Sequence, residues 1–261
     1  MKKSILIAFL ASTTLTLVAQ DNSLYEKKEY ILGKDTLRYR ILYPINYDPA
    51  KKYPLILFMH GSGERGNDNE AQLVHGSKLF LNEANRTKYP AFVIFPQCPR
   101  SDGWARVGRD ASKKDSVGGF TFLSNQPIGK SLDLVGKLLD SFKNSGKVNV
   151  KKIYVGGLSM GGMGTFEILW RKPKYFAAAF PICGGGDPGK VGQYGKKIPV
   201  WVFHGDKDAA VPVACSRQMV GALKSSKAKV KYSEYPGVGH DSWNNAFAEP
   251  DLLNWLFSQK K

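Results

Sequence analysis

The sequence has few of the residues that build disulfide frameworks and metal centres. Its 261 residues include three cysteines, Cys98, Cys183 and Cys215, an odd number that leaves at least one thiol unpaired within a monomer and excludes a disulfide framework. The four histidines lie far apart, and neither an H-E-x-x-H nor a C-x-x-C motif occurs. We therefore expect no metal, no cofactor and no metal-dependent mechanism.

A hydrophobic stretch of membrane-spanning length is also missing. The N-terminal segment MKKSILIAFLASTTLTLVAQ comes nearest, but it is short, rich in threonine at its centre and followed by polar residues. Its basic start, its apolar stretch over 5–10 and the small residue Ala19 are typical of a secretory signal peptide. We predict a signal peptide over 1–19, no membrane span, and a secreted or periplasmic protein.

Acidic residues are scarce beside basic ones. The chain has 38 lysines and arginines against 22 acidic residues, a formal charge of +16. For an exported protein, this balance favours acidic polysaccharide or envelope material over nucleic acid as a partner. The lysines are scattered along the chain, so a solvated basic surface is the simpler interpretation, and we expect no nucleic-acid partner. Nothing in the sequence indicates an oligomeric state.

Short β-branched and aromatic runs, separated by helical patterns, are abundant. The predicted strands lie at 28–33, 37–44, 53–61, 89–99, 151–159, 176–186, 198–206 and 229–237. The predicted helices lie at about 68–85, 129–145, 160–172, 213–226 and 245–258. The first two strands alternate as an antiparallel edge hairpin does, whereas the later ones are almost continuously apolar, as in parallel strands buried on both faces. We predict one α/β domain over 20–261, with a mostly parallel eight-stranded sheet, an antiparallel N-terminal edge hairpin and helices on both faces.

One serine stands among glycines directly after a predicted strand. Gly157-Leu158-Ser159-Met160-Gly161 is a G-x-S-x-G motif between that strand and a helical pattern. A nucleophile at a sharp strand-to-helix turn needs small residues two positions to either side, because chain segments pass closely there. A phosphate-binding loop is the other interpretation, but the segment lacks the Gly-Lys-Ser/Thr ending. Ser159 is the predicted nucleophile.

A serine hydroxyl attacks well only when a base removes its proton, and a histidine is the usual base. His240 lies in a glycine-rich loop after the last predicted strand and is the best candidate by position. His60 and His204 each end an apolar strand and precede glycine, and His75 lies in a helical pattern. We assign structural roles to these three.

The acid that orients the histidine is expected just after the penultimate large strand, in FHGDKDAAVP. Asp208 precedes a Val-Pro helix entry and can reach His240 across the sheet edge. Asp206 falls in the tight turn, where capping the backbone is the ordinary role. Asp241 is adjacent to His240, so its side chain points away from the imidazole. We predict Asp208, which gives the order Ser, Asp, His found in α/β-hydrolases.

Acyl transfer also needs N–H donors for the developing oxyanion. One predicted donor is the backbone N–H of Met160, the residue after the nucleophile. The second is expected in the loop HGSGERG over 60–66, from the backbone of Ser62 or Gly63, and the sequence does not separate these two.

Two long connections, 99–129 and 184–197, come after buried strands and should lie at the carboxyl edge of the sheet, where ligands bind. The first contains Trp104 in DGWARVGR. A core-packed loop anchor is the simpler interpretation of this residue. The sharper hypothesis is that Trp104, with Trp243 near His240, forms an aromatic wall against the substrate.

Four segments together, HGSGERG, GLSMGG, PICGGGDP and HGDKDAAVP, resemble secreted esterases of the α/β-hydrolase superfamily, related to the phospholipase/carboxylesterase, polyhydroxybutyrate depolymerase and feruloyl esterase groups. The resemblance covers almost the whole chain after the signal peptide. It implies the α/β-hydrolase fold and a triad of Ser159, Asp208 and His240. It also implies action on acetyl or feruloyl esters of polysaccharide, or on similar small soluble esters.

Two other functions are compatible with these residues. A serine peptidase of the prolyl-oligopeptidase type would share the motif and the triad, although about 240 residues leave no room for the propeller that such enzymes carry. A non-catalytic carbohydrate-binding protein on the same scaffold would not need a complete triad. We therefore predict a serine carboxylesterase.

Overall fold

The chain folds around one central β-sheet. The computed structural model describes residues 22–110, 112 and 116–261. The predicted signal peptide, residues 1–19, lies outside the described residues. Within the described ranges, no helix combines the length and the apolar character needed to cross a membrane.

Among the described residues, ten strands form two sheets. They are β1 (Tyr25–Leu32), β2 (Asp35–Leu42), β3 (Tyr53–Met59), β4 (Phe92–Pro96), β5 (Val107–Arg109), β6 (Phe120–Phe122), β7 (Val148–Leu158), β8 (Ala178–Ile182), β9 (Val200–Gly205) and β10 (Val230–Tyr235). The large sheet has the order β1-β2-β4-β3-β7-β8-β9-β10. β1 and β2 pair antiparallel, as do β2 and β4, and all other neighbours pair parallel. The predicted eight-stranded sheet with an antiparallel N-terminal hairpin is confirmed.

Helices cover both faces of this sheet. They are α1 (Ser77–Leu81), α2 (Glu83–Lys88), α3 (Lys130–Asn144), α4 (Met160–Arg171), α5 (Ala214–Ser225), α6 (Trp243–Ala248) and α7 (Leu252–Ser258). In β3, Leu55 and Leu57 pack in one buried cluster with residues of α3, α4 and α5, whereas Ile56 and Phe58 pack in a second cluster with residues of α1, α6 and α7. Because both faces are covered, the central strands are continuously apolar rather than alternating.

Two predicted helices are broken in the structure. The predicted helix over 68–85 is a 3₁₀ turn followed by α1 and α2, because Gly76 has a φ of 85° and Asn82 leaves the helical region to cap α2. The predicted helix over 245–258 divides into α6 and α7 at Pro250. Glu249, before this proline, is extended with a ψ of 116°, as expected where the proline ring disfavours helical backbone.

The 99–129 connection carries structure that the sequence did not reveal. Within it, β5 and β6 pair antiparallel over three residues each. Strands of this length are too short to show an alternating pattern.

The carboxyl ends of β3, β7, β8, β9 and β10 lie side by side, because these strands are parallel neighbours. The segments that leave these strands therefore meet at one edge of the sheet, the position at which open α/β sheets bind ligands.

Candidate active site

Ser159 occupies a sharp turn between β7 and α4. Its backbone has a φ of 54° and a ψ of −116°, a conformation that costs a non-glycine residue about 1–3 kcal/mol. A Cβ built on Gly161 would lie 1.9 Å from the Met59 carbonyl oxygen, and one on Gly157 would lie 2.5 Å from the Gly161 oxygen. Both outer positions of the G-x-S-x-G motif thus exclude any side chain. The Ser159 N–H donates to Ile182 O at 2.9 Å, which ties the turn to the end of β8.

The structure brings Ser159, His240 and Asp208 together. His240, in the loop after β10, places Nε2 3.0 Å from Ser159 Oγ. Its Nδ1 lies 2.7 Å from Oδ2 of Asp208, which lies after β9. The Asp208 side chain is completely buried, whereas that of His240 is 29% exposed. A hydroxyl, an imidazole and a carboxylate therefore form one hydrogen-bonded chain that runs from the surface into the protein.

Asp208 is held as a carboxylate by its surroundings. Oδ1 accepts the backbone N–H groups of Ala210 at 2.9 Å and Val211 at 2.8 Å. Burial acts to raise the pKa of Asp208, but hydrogen bonds from His204, His240 and the Val211 N–H outweigh burial and hold this pKa well below its usual range. The carboxylate is therefore charged at neutral pH and keeps the proton of His240 on Nδ1.

The two rival carboxylates have other partners. Asp206 accepts the backbone N–H of Gly237 at 2.6 Å and closes the turn between two loops. Asp241 is exposed and accepts from the Asn244 side chain at 3.3 Å. The geometry thus selects Asp208 as the partner of His240.

The loop after β3 lies against the nucleophile. A Cβ on Gly61 would lie 3.7 Å from Ser159 Cβ, so the Gly61 backbone borders the serine. His60 orients this backbone. Its Nε2 accepts the Cys98 N–H at 3.0 Å, which leaves the ring proton on Nδ1 to donate to Gly61 O at 2.6 Å. Burial lowers the pKa of His60 to about 4, so the ring is neutral at neutral pH.

The hydrogen bond from His60 also bears on the choice between Ser62 and Gly63. In a planar trans peptide the C=O and the N–H point in opposite directions. Because Gly61 O points at the His60 ring, the N–H of Ser62 points away from that ring. The next carbonyl, Ser62 O, accepts from Arg65 at 3.1 Å. Met160, the other predicted donor, is the first residue of α4, where backbone N–H groups lack intrahelical acceptors.

The hypothesis that Trp104 forms a wall against the substrate is wrong. Trp104 is 0% exposed, and its Nε1 donates to His60 O at 3.1 Å. A Cβ on Gly164, in α4, would lie 2.3 Å from Trp104 Cβ, so Trp104 is packed tightly onto α4. The large apolar ring is buried because the 99–129 loop turns inward at this point. Trp104 anchors that loop beneath His60.

Trp243 lies where an aromatic surface was expected. It is half-buried at the start of α6, and its ring contacts His240 at a centroid distance of 5.4 Å and His75 at 4.8 Å. Beside it runs a groove that is also lined by Val74, Asn82 and Phe247. The groove has a volume of about 480 Å³, within the range of about 300–1,000 Å³ that is typical of small-molecule sites.

Sequence reasoning missed the parts that His60 and His204 take in the site. Both histidines were assigned structural roles, yet His60 orients the loop beside Ser159 and His204 contacts Asp208 Oδ2 at 3.2 Å. The signal that could have identified them is the repeated His-Gly pair, which ends β3 and β9 at the edge that carries the site.

One group of side chains has the composition of a metal site. Ligand atoms of Cys183, Asp208 and His240 all lie within 4.8 Å of one another. Asp208 and His240 are already bonded to each other, and burial raises the pKa of the Cys183 thiol far above its usual range. A protonated thiol and an engaged carboxylate are poor metal ligands. The donor set therefore fits a hydrogen-bonded triad beside a buried thiol better than it fits a resident metal. All three cysteines are free and buried.

The two aspartates after β9 provide a matched test. We expect Asp208→Asn to lower kcat by about 10⁴-fold, because the amide no longer holds His240 in the tautomer that accepts the serine proton. Asp206→Asn should leave kcat within about tenfold of the wild type, since Asp206 bonds only a backbone N–H. Steady-state kinetics on p-nitrophenyl acetate measure both. A larger loss for Asp206→Asn would contradict the assignment.

Trp104 gives a second prediction. Trp104→Ala should destabilise the fold by about 3–5 kcal/mol and lower kcat on small and large esters by the same factor, because the loop held by His60 loosens. Trp104→Phe keeps an aromatic ring but loses the indole N–H bond to His60 O and part of the ring volume, so its effects should be smaller than those of Trp104→Ala in both respects. Thermal unfolding and kinetics on two esters of different size check this. An increase in KM for the larger ester alone would restore a role in binding.

Comparison with known proteins agrees with this architecture. The chain is 26% identical over 199 residues to a bifunctional acetylxylan esterase/xylanase of Neocallimastix patriciarum, covering 76% of this chain and 24% of that protein. It is 24% identical over 211 residues to lysophospholipase-like protein 1 of Mus musculus, covering 78% and 86% respectively.

Among solved structures, a thermostable esterase superposes with a TM-score of 0.81 at 33% identity, over 92% of this chain and 64% of that one. The chain thus spans about a quarter of the first relative and under two thirds of this esterase. The model of the phospholipase/carboxylesterase family matches residues 45–251. The resemblance inferred from the four sequence segments is therefore confirmed, and the chain belongs to the phospholipase/carboxylesterase family of α/β-hydrolases.

Proposed function

We propose that this protein is a serine carboxylesterase that forms an acyl-enzyme on Ser159. The observation that carries the proposal is the chain of hydrogen bonds from Ser159 Oγ to His240 Nε2 at 3.0 Å and from His240 Nδ1 to Asp208 at 2.7 Å. An esterase activity also agrees with the family to which the chain belongs.

In the proposed acylation step, Ser159 Oγ attacks the ester carbonyl carbon while His240 Nε2 takes the hydroxyl proton. Negative charge develops on the carbonyl oxygen, and the backbone N–H groups of Met160 and Ser62 are the proposed donors to it. Ser62 is preferred to Gly63 because His60 holds the Gly61–Ser62 peptide by its carbonyl. His240 then gives its proton to the leaving alkoxide, which departs as the alcohol.

Deacylation repeats these steps with water. His240 removes a proton from a water molecule as its oxygen attacks the acyl carbon, and the same proton then returns to Ser159 Oγ. The products are a carboxylic acid and free enzyme. Asp208 stays ionised throughout and stabilises the imidazolium that forms in each half of the reaction.

The substrates that we propose are acetyl or feruloyl esters of polysaccharide, or similar small soluble esters. The groove beside Trp243 supports this choice, because it combines an aromatic ring with the amide side chains of Asn82, Asn85 and Asn244. Aromatic rings stack on the faces of sugars and phenols, and amides bond their hydroxyl groups. The relative from Neocallimastix patriciarum is named as an acetylxylan esterase.

Export of the protein is part of the proposal. It rests on the basic and apolar composition of residues 1–19. A polymeric ester substrate outside the cell would be consistent with this location.

Ser159→Ala tests the chemistry. It removes only the nucleophile, so kcat on p-nitrophenyl acetate should fall by about 10⁴–10⁶-fold while the far-UV circular dichroism and the melting temperature stay close to the wild type. A fluorophosphonate probe should label the wild type and not the variant. A folded variant that keeps more than a few per cent of the turnover would refute the proposal.

A substrate panel separates the alternatives. Acetate, butyrate and octanoate p-nitrophenyl esters, methyl ferulate, acetylated xylan and a dipeptide p-nitroanilide cover the proposed substrates and a peptidase. Faster turnover of the anilide than of every ester would identify a peptidase. Binding of xylan by a wild type that the probe does not label and that hydrolyses no ester would identify a non-catalytic binding protein.

The groove yields a prediction about Trp243. Trp243→Ala should raise KM for methyl ferulate or acetylated xylan several-fold, since the stacking surface is lost, and should change kcat/KM for p-nitrophenyl acetate far less. Trp170→Ala is the matched control, because Trp170 is also half-buried but lies at the far end of α4 against Arg171. Equal losses on both substrates would remove Trp243 from the substrate site.

A further inference from the structure

We propose that His204 is a positively charged positioning residue, which contacts the triad carboxylate from within the core and extends esterase activity to lower pH. This inference rests on the proposed function. It concerns a residue that touches neither substrate nor Ser159, and it assigns a purpose to a histidine that the catalytic cycle does not use.

Asp208 Oδ2 lies between two imidazoles. His204, near the end of β9, is 0% exposed, and its Nε2 lies 3.2 Å from Asp208 Oδ2 and 2.8 Å from Val211 O. The same carboxylate oxygen accepts a hydrogen bond from Nδ1 of His240 at 2.7 Å. His204 therefore shares with His240 the atom that sets the basicity of the proposed catalytic base.

The protons at His204 can be assigned from its partners. Both partners of Nε2 are acceptors, Val211 O and Asp208 Oδ2, so Nε2 carries a proton. Nδ1 lies 2.7 Å from Ser216 Oγ, and this hydroxyl lies 2.9 Å from Gly184 O. The single hydroxyl proton can serve only one of these two contacts. When the Ser216 hydroxyl donates its proton to Gly184 O, Nδ1 of His204 must donate to Ser216 Oγ. Nδ1 and Nε2 then both carry protons, so all these contacts are satisfied together only when the ring is an imidazolium.

A second carboxylate, that of Glu234, lies beside His204 on the neighbouring strand. Glu234 pairs in register with His204 on the neighbouring strand β10, and His204 contributes to its electrostatic environment. Hydrogen bonds from Arg217 hold the pKa of Glu234 at about 2, so this carboxyl is ionised. Arg217 pairs with both carboxylate oxygens of Glu234, at 2.9 and 2.5 Å, so Asp208 is the carboxylate in direct contact with His204.

Two thiols near the shared carboxylate, those of Cys215 and Cys183, are neutral. Burial raises the pKa of Cys215, on α5, to about 11, and raises the pKa of Cys183 further. Asp208 contributes to the electrostatic environment of both thiols. Asp208 is therefore the carboxylate that His204 and His240 share.

A positive charge on His204 offsets part of the negative charge of Asp208. A protonated His240 is then stabilised less by this carboxylate. The two ring nitrogens lie within about 6 Å of each other, so a unit charge on His204 repels the positive charge of a protonated His240. Only neutral His240 accepts the serine proton, so the acidic limb of kcat/KM moves to lower pH. The expected benefit is activity in mildly acidic surroundings.

The main test is the pH dependence of kcat/KM for p-nitrophenyl acetate in wild type and His204→Gln. The glutamine amide keeps an N–H donor for Asp208 and removes the charge. We expect the acidic limb to move to higher pH by about one to two units, while the plateau at alkaline pH falls by less than about tenfold. A limb that stays within about 0.3 pH units of the wild type would overturn the proposal.

Cys215→Ala is the matched control for a change in the core. Cys215 is 1% exposed and precedes Ser216 on α5, but its Sγ bonds Val117 O and not His204. A structural disturbance alone should lower the plateau and leave the limb in place. An equal shift of the limb in Cys215→Ala would show that packing, and not the charge of His204, moves it, and would overturn the proposal.

Ser216→Ala keeps the test decisive if His204→Gln does not fold. Losing the hydroxyl removes the acceptor of the second imidazolium proton, so the limb should move in the same direction by a smaller amount.

In ¹⁵N NMR of the wild type at pH 7, both nitrogens of one buried histidine should be protonated, and a neutral ring would refute the assignment. Failure of the proposed function has a different signature, since the wild type would then resist the fluorophosphonate probe at every pH.

Discussion

The close approach of α4 to the ends of β3 and β7 is the constraint on which the site depends. The backbone at Gly161 lies so near Met59 O that any side chain is excluded, and Ser159, two residues earlier, stands in a positive-φ turn. The same contact aligns the start of α4 with the loop after β3. The end of β7, the start of α4 and the loop after β3 therefore meet at Ser159. A strained serine conformation persists only where its surroundings over-determine it.

Around this turn, a second layer of buried histidines holds the polar groups in place. His60 bonds the Gly61 carbonyl and is itself supported by Trp104 and the Cys98 N–H. His204 bonds the acid of the triad from the core. His204 lies within β9 and His60 directly follows β3, so both supports stand at the ends of strands of the large sheet. Buried polar groups of this kind are stabilising only when every donor and acceptor is satisfied, and this condition determines the protonation of both rings.

Sequence reasoning succeeded where a local rule matched the tertiary environment. All eight strands of the large sheet were predicted, the edge hairpin from its alternation and the later strands from the nearly continuous apolar runs that burial on both faces leaves. The prediction was weaker where a single residue redirects the chain. Gly76, Asn82 and Pro250 divide two predicted helices into a 3₁₀ turn and four short helices, and each acts through its own backbone geometry rather than through hydrophobic periodicity. Trp104 illustrates the same difficulty. The sequence around an aromatic residue in a polar loop is the same whether the ring faces the substrate or the core.

The sequence by itself determined the fold class and the nucleophile motif and identified His240 and the aspartates after β9 as candidates, because the order of residues along the chain determines which side chains stand at the carboxyl end of each parallel strand. Only the tertiary structure decided which groups touch. It separated Asp208 from Asp206 by their hydrogen bonds, buried Trp104, and placed Trp243 against His75 and His240. Those outcomes depend on side-chain direction and on distances between residues far apart in the chain. A pattern of residue types along the sequence carries no such information, since it records order and not orientation.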